Sequence, residues 1–311
     1  MSYNSAYRPD QEANMFSKRI AFTQTAIKEI SDAFPPSLPQ PPPYTPYEYT
    51  DMMYRADAKN VSSYTVINTN EVSFIYDLSG GDAHLFNHRL GKDYIPGTSP
   101  ALYTAMTLET AINGHLCFDG FLSQGVANSY SIQPGNVLKK NTTESYTLIH
   151  VARVNEALGQ WDTLLCYGKN LDSLTLSMNA VQNRLFPAYA GKQMYDASLS
   201  NANPILLDRN VVIIYRVLEK ASVKLQIWDI DNPLIPILDA SAVIPANPNL
   251  LFVNAPAMPF YVGCNNFLSA GLSQNHSGHT HGETVLYNSY LSDTETTSVK
   301  DFLIDKWGPA S

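Results

Sequence analysis

The chain has 311 residues, room for one large β domain or two modest ones, with 44% hydrophobic residues and only 15% charged, against roughly 25% charged in ordinary domains. A net charge of −8, without acidic runs, excludes the basic face that a nucleic-acid backbone requires. No stretch reaches the ~18 uninterrupted apolar residues of a membrane span, and MSYNSAYRPDQEANMF lacks the basic-then-apolar order of a secretory signal; neither membrane insertion nor secretion is expected. Three cysteines, Cys117, Cys166 and Cys264, lie far apart in apolar runs and read as buried free thiols.

In chain order, residues 10–34 have the pattern of an amphipathic helix. Phe16, Ile20, Thr23, Ile27, Ile30 and Phe34 fall alternately four and three residues apart, which puts them on one stripe. That spacing also suits a coiled-coil seam, so Phe16, Ile20, Ile27, Ile30 and Phe34 are candidate assembly residues, with a homotrimer as one outcome and packing on the chain's own body as the other. Asp10 fits the N-cap, and Pro35-Pro36 stops the helix. PPSLPQPPPYTPYEY (35–49) follows, with seven prolines in fifteen residues, an extended arm with interleaved tyrosines. Residues 1–51 thus read as an attachment segment and residues 52–311 as the folded domain.

From residue 60 onward the pattern is β. SYTLIHVARV (145–154) and NVVIIYRVLE (210–219) are rich in β-branched and aromatic residues. ASVKLQIWDI (221–230) alternates Val223, Leu225 and Ile227 with Lys224, Gln226 and Trp228, and forms a hairpin with the strand before it. HLCFDG, DTLLCYG, LTLSMN, LLFVN, FYVGC and ETVLYN are further short strands. Many short strands separated by turn clusters predict an all-β sandwich or barrel. SDTETTSVKDFLIDKWG closes the chain as a short helix capped by Ser292 and followed by Gly308.

The aromatic and amide residues of three loop regions are candidate glycan contacts: Trp161 and Asp162, Tyr189 and Tyr195, Asn265 and Asn266. Sugar sites combine an aromatic platform with Asn or Asp hydrogen bonds, often with calcium ordering the loops. His279-x-His281 in NHSGHTHGETVLYN puts two imidazoles on one strand face, a start for a transition-metal site; the alternative is a polar edge loop titrating near the ordinary histidine value of ~6.5. In QIWDIDNP, Asp229 and Asp231 read as a turn at a strand end. No GxSxG, HExxH or Gly-rich phosphate loop is present, and no catalytic residue or obligatory cofactor is expected.

Three segments, in order, resemble laminin-G-like domains of the concanavalin A-like superfamily. MYRADAKNVSS with FIYDLSGGDAHLF resembles the opening W-x-D-x-SG-x-G pattern, with Tyr76 where Trp is common. NGHLCFDGFLSQGVAN resembles FDG-x-x-D-x-L without its second acidic residue. ETVLYNSYLSDTETTSVKDFLIDKWG resembles the closing E-x-x-x-Y-x-x-x-LS and KWG segment. The resemblance covers residues 52–308 and implies a jelly-roll sandwich of two antiparallel sheets, turns at Asp77-Leu78-Ser79-Gly80-Gly81 and Asp119-Gly120, Trp307 closing the core behind the helix, and Glu283 holding loop backbone. Laminarinase-type glycosidases of the superfamily carry an E-x-D-x-x-E strand that is missing here, so no enzyme is expected.

Domains with this closure are frequent in bacteriophage fibres, spikes and decoration proteins. The resemblance therefore implies a non-enzymatic structural protein on the virion surface. It would attach to other virion proteins through residues 1–51 and display a lectin-like sandwich toward host-surface glycan. A free carbohydrate-binding lectin or adhesin is the alternative, and a glycoside hydrolase the third reading.

Overall fold

Runs of β-branched and aromatic residues become strands in the computed structural model, which describes residues 46–49, 51–67, 70–80, 84–87, 103–104, 106–119, 127–128, 130–132, 138–139, 145–155, 161–167, 174–179, 184–189, 192–193, 206–219, 221–244, 257–258, 260–263, 265–266, 273–274 and 279–309. The strands of three or more residues are β1 (Met52–Asp57), β2 (Tyr64–Ile67), β3 (Glu71–Ile75), β4 (Leu85–Asn87), β5 (Thr107–Thr110), β6 (Leu116–Asp119), β7 (Tyr130–Ile132), β8 (Tyr146–Arg153), β9 (Trp161–Tyr167), β10 (Leu174–Asn179), β11 (Arg184–Tyr189), β12 (Asn210–Leu218), β13 (Ser222–Asp229), β14 (Leu238–Val243), β15 (Phe260–Val262) and β16 (Thr280–Tyr287). One helix, α1 (Asp293–Trp307), follows them. All these strands pair antiparallel.

Two layers emerge from the pairing. One sheet runs β14-β13-β12-β8-β16-β1. The other runs β2-β3-β4-β7-β15-β9-β10-β11. The short pair β5–β6 joins them, since β5 meets β3 at Glu71↔Thr107 and β6 meets β16 at Asp119↔Thr280. Aromatic side chains fill the space between: Tyr54 lies against Phe260 at 4.7 Å between ring centroids and Tyr146 against Tyr167 at 5.7 Å. The fold is an all-β, jelly-roll-type sandwich. Cys117 and Cys166 are buried free thiols, and burial pushes the Cys117 thiol up to about 11. Cys264, the LLFVN segment and residues 1–45, with Phe16, Ile20, Ile27, Ile30 and Phe34, lie outside the described residues.

β8, β12 and β16 are buried on both faces almost throughout. One face meets the other sheet, and α1 covers the second. Arg216, fully buried in β12, donates to the Leu291 carbonyl (2.8 Å) and to Asp293 at the helix start. Ser292 accepts from the Glu295 amide and Glu295 accepts from the Ser292 amide, a reciprocal cap. Val299, Leu303 and Trp307 form the buried stripe of α1. Gly282 is the extra residue where the β8–β16 register slips between Val151 and Ala152. A Cβ there would stand 3.0 Å from the Trp307 ring, so the glycine makes room for the indole.

The predicted hairpin of β12 and β13, the strand over LTLSMN and the Ser292 cap stand as expected. β11 was not anticipated, because Pro187 lies inside it and proline ordinarily demotes a strand. The Asp77 turn is present: its carboxylate accepts from the amides of Arg55 and Ser79, and Gly80 takes φ 84°.

Candidate functional site

β16 carries two clusters of polar side chains three residues apart. The first is sealed. Glu283, with a side chain fully excluded from solvent, accepts from Lys306 (2.5 Å), from the Tyr47 hydroxyl (2.5 Å) and from the Trp307 indole N–H (3.2 Å). Lys306 also donates to Asp57 (2.6 Å) and to the Tyr47 oxygen (2.8 Å). The Arg55 guanidinium covers the Tyr47 ring at 3.3 Å from its centroid, and Phe302 meets the same ring edge-on. Burial, followed by the Glu283 charge, pushes the Tyr47 hydroxyl far above its ordinary value. Glu283 is thus structural as expected, but it holds side chains from both ends of the domain rather than loop backbone.

The second cluster is open. Strand ends converge on it: Asp119 ends β6, Arg153 ends β8, Thr280 begins β16, and Leu207 and Asp208 precede β12. Register brings them together, because Arg153 pairs with both Thr280 and Asn210, and Thr280 pairs with Asp119. Together with Ala111 and Asn155 these residues line a cleft of about 440 Å³, inside the roughly 300–1,000 Å³ range of small-molecule sites.

Its polar groups are ordered by a relay. Asn155 Nδ2 donates to Thr280 Oγ1 (3.1 Å), and Thr280 donates to Asp119 Oδ1 (3.1 Å). Arg153 reaches Asp208 (3.5 Å) and the Asn210 side-chain oxygen (3.4 Å). Asn210 in turn donates to Asn113 (3.2 Å) and Asp231 (3.0 Å). Asp208 and Asn113 adopt φ of 62° and 49°, a left-handed backbone that Asp and Asn tolerate better than other side-chain-bearing residues. The Asp208 amide is tied to the Val154 carbonyl at 2.7 Å, so its carboxylate sits on the rim by backbone design. Ala111 and the exposed Leu207 supply apolar surface beside these groups.

Behind the cleft stand the histidines. His279 Nδ1 accepts the backbone N–H of Asn155 (3.1 Å), which fixes Asn155 in place. His281 Nδ1 meets His150 Nε2 at 3.0 Å, and His150 Nδ1 meets Thr284 Oγ1 at 2.9 Å. All three rings are buried. Burial is the main cause that lowers His150 to about 3 and His279 to about 4, and it holds His281 well below the ordinary value. The expected edge loop titrating near 6.5 is therefore corrected: β16 is covered on both faces, so its histidines are core residues. Each Nδ1 of His279 and His281 is committed to a protein partner, and among the described residues no group of three or more His, Cys, Asp or Glu side chains is placed to hold a metal ion.

The predicted glycan residues do not meet at one place. Trp161 and Asp162 open β9, paired with Asn179 and Met178, and Asn265–Asn266 form a short strand nearby. Tyr189 ends β11 at the other end of those strands, paired with Lys192. Tyr195 lies outside the described residues. Of the cleft residues only Asp119 stood out in sequence, in the FDG segment; Arg153, Asn155, Asp208 and Thr280 did not. Asp229 and Asp231 form the expected turn, the Asp231 amide donating to Asp229 Oδ1 at 3.0 Å.

No protein-family model matches the chain, and no curated protein does. Solved structures match in shape. An arabinofuranosidase complexed with arabinofuranosyl-α-1,2-xylobiose aligns at 13% identity over 82% of this chain and 59% of its own, with a TM-score of 0.49. The binding domain of botulinum neurotoxin DC in complex with SialylT aligns at 10% identity over 85% and 52%, with a TM-score of 0.48. A Trypanosoma rangeli sialidase in complex with sialic acid aligns at 13% identity over 85% and 35%, with a TM-score of 0.45. The chain spans only about a third to three-fifths of these structures' lengths. The likeness is one of fold alone, an antiparallel β architecture. Glycoside hydrolases among the matches overturn the expectation that the chain is not an enzyme; the missing E-x-D-x-x-E strand rules out one glycosidase design, not glycoside chemistry as a whole.

Proposed function

We propose that this chain recognises carbohydrate through the Asp119–Asp208 cleft, and that residues 1–51 attach it, as a homo-oligomer, to the surface of a bacteriophage particle. The cleft carries the first part. Sugars present hydroxyls along one edge and C–H groups on the other. Here carboxylate, amide and hydroxyl groups on fixed strand ends stand beside the apolar surface of Leu207 and Ala111. The second part is supported by the laminin-G-like closing segment and by the proline-rich stretch before the domain.

A glycan array probed with the full chain tests the recognition. Binding that falls more than tenfold in Asn155→Ala, with the fold intact by circular dichroism, is the expected outcome; a blank array for the unaltered chain rejects it. Two carboxylates on one cleft also favour a second reading, glycoside hydrolysis. Release of reducing sugar from the bound glycans, abolished by Asp119→Asn, is its signature. Antibody labelling of intact particles tests the location.

A further inference from the structure

We infer that the cleft selects neutral, hydroxyl-rich sugars and rejects sugars carrying a carboxylate. This rests on the carbohydrate reading above and adds the chemical class to it. Among the described residues, the walls of the cleft hold two carboxylates, Asp119 and Asp208, against one guanidinium, Arg153. That guanidinium is already engaged, by Asp208 at 3.5 Å and by the Asn210 oxygen at 3.4 Å.

The neighbouring turn repeats the pattern. Arg209 is paired with Asp229 at 3.0 Å, and Asp231 accepts from Asn210 at 3.0 Å. Among the described residues of the rim and this turn, four carboxylates stand against two guanidiniums, and the whole chain carries −8. An entering carboxylate therefore meets like charge, and beside Arg153 it competes with Asp208 and the Asn210 oxygen for the guanidinium.

Hydrogen-bonding capacity leads to the same class. Ionised aspartates only accept, so Asp119 and Asp208 call for donors. Hydroxyls of a neutral hexose supply them, and a carboxylate supplies none. The donors already within the cleft, Asn155 and Thr280, are passed along the relay toward Asp119.

The test compares each hexose with its hexuronic acid, which differ only in CH2OH against carboxylate, by titration of the full chain. The expected result is binding of the hexose at least about tenfold tighter, the factor set by one additional like charge at close range. Asp208→Asn should narrow that gap. The Asp208 side chain is 73% exposed, so this substitution leaves the core untouched. Asp119→Asn, which keeps an oxygen to accept from Thr280, serves as the second variant. Equal or tighter binding of the uronic acid overturns the inference and leaves carbohydrate recognition standing. A gap that neither variant narrows overturns it too, since shape rather than charge then discriminates. Failure of every hexose and uronic acid to bind rejects the carbohydrate reading itself, and the inference with it.

Discussion

Glu283 and Thr280 lie three residues apart on one strand, yet they belong to regions built on opposite principles. Around Glu283, whose own side chain is excluded from solvent, carboxylate, ammonium, hydroxyl and indole close on each other. Around Thr280 the same kinds of group are tethered from one side and remain open on the other. A buried charge without its partners is costly, so the sealed network acts as a clasp joining both ends of the domain. An open set of fixed polar groups costs little in the fold and is available to a ligand. Thr280 is as buried as Glu283; the exposed rim formed by Arg153 and Asp208, rather than residue type, separates site from structure here.

The sharpest way to break this contrast is Glu283→Ala. It takes the acceptor from the Tyr47 hydroxyl and the Trp307 indole N–H and leaves Lys306 with Asp57 and the Tyr47 oxygen, a loss of about 2–3 kcal/mol for buried donors left without their acceptor. Denaturant unfolding should show that loss, whereas any glycan affinity of the remaining folded protein should not change. A loss below about 1 kcal/mol would mean that the network is solvated after all.

The clasp also has a covalent consequence. Tyr47 sits 236 residues from Glu283, inside the proline-rich stretch that read as attachment arm. A chain starting at residue 44 keeps the clasp, and one starting at residue 52 loses it. We expect the shorter chain to be less stable by about 1–3 kcal/mol, the range for a buried acceptor left without its donor. Tyr47→Phe in the longer chain should reproduce most of that difference in a thermal melt.

Protonation distinguishes the wall behind the cleft from the cleft itself. His150, His279 and His281 are held neutral by burial, with folded values below the 6.5 of the unfolded chain. Below pH 6.5 the unfolded state therefore binds more protons, and stability is lost as pH falls. The full contribution is present above about pH 6.5, and it declines toward pH 4 by up to about 1.4 kcal/mol per pH unit for each histidine. Urea midpoints at pH 7.5 and pH 5 should differ accordingly. In His150→Gln the slope should be shallower, and equal slopes would place the acid sensitivity elsewhere.

Much of this fold is visible in sequence, because long strands, the Ser292 cap and the Asp77 turn depend on local pattern. The sites are less so, for three physical reasons. His279 and His281 look like edge residues until both faces of β16 are found covered, and a fully buried strand has no polar alternation to read. The clasp links positions at opposite ends of the domain, which no local motif records. The cleft takes single residues from β6, β8, β16 and the turn before β12, so only topology brings Asp119, Asn155, Asp208 and Thr280 together. Trp161 and Tyr189 are candidates by residue type alone, and the pairing of β9, β10 and β11 sets them at opposite ends.

The smallest expected effect on stability is the one that best isolates the open region. Asp208 is exposed and its contact with Arg153 is long, at 3.5 Å with 73% of the aspartate side chain in solvent; such pairs contribute about 0–1 kcal/mol and are screened by salt. Its backbone φ of 62° is a conformation that asparagine also tolerates, so Asp208→Asn removes the charge without straining the turn. Unfolding free energy should move by no more than about 0.5 kcal/mol. Asp208→Val, at the same position, forces a β-branched residue into the left-handed region and should cost about 1–2 kcal/mol. If the two variants prove equally stable, the turn relaxes on substitution, and the carboxylate is not held at the rim by its backbone.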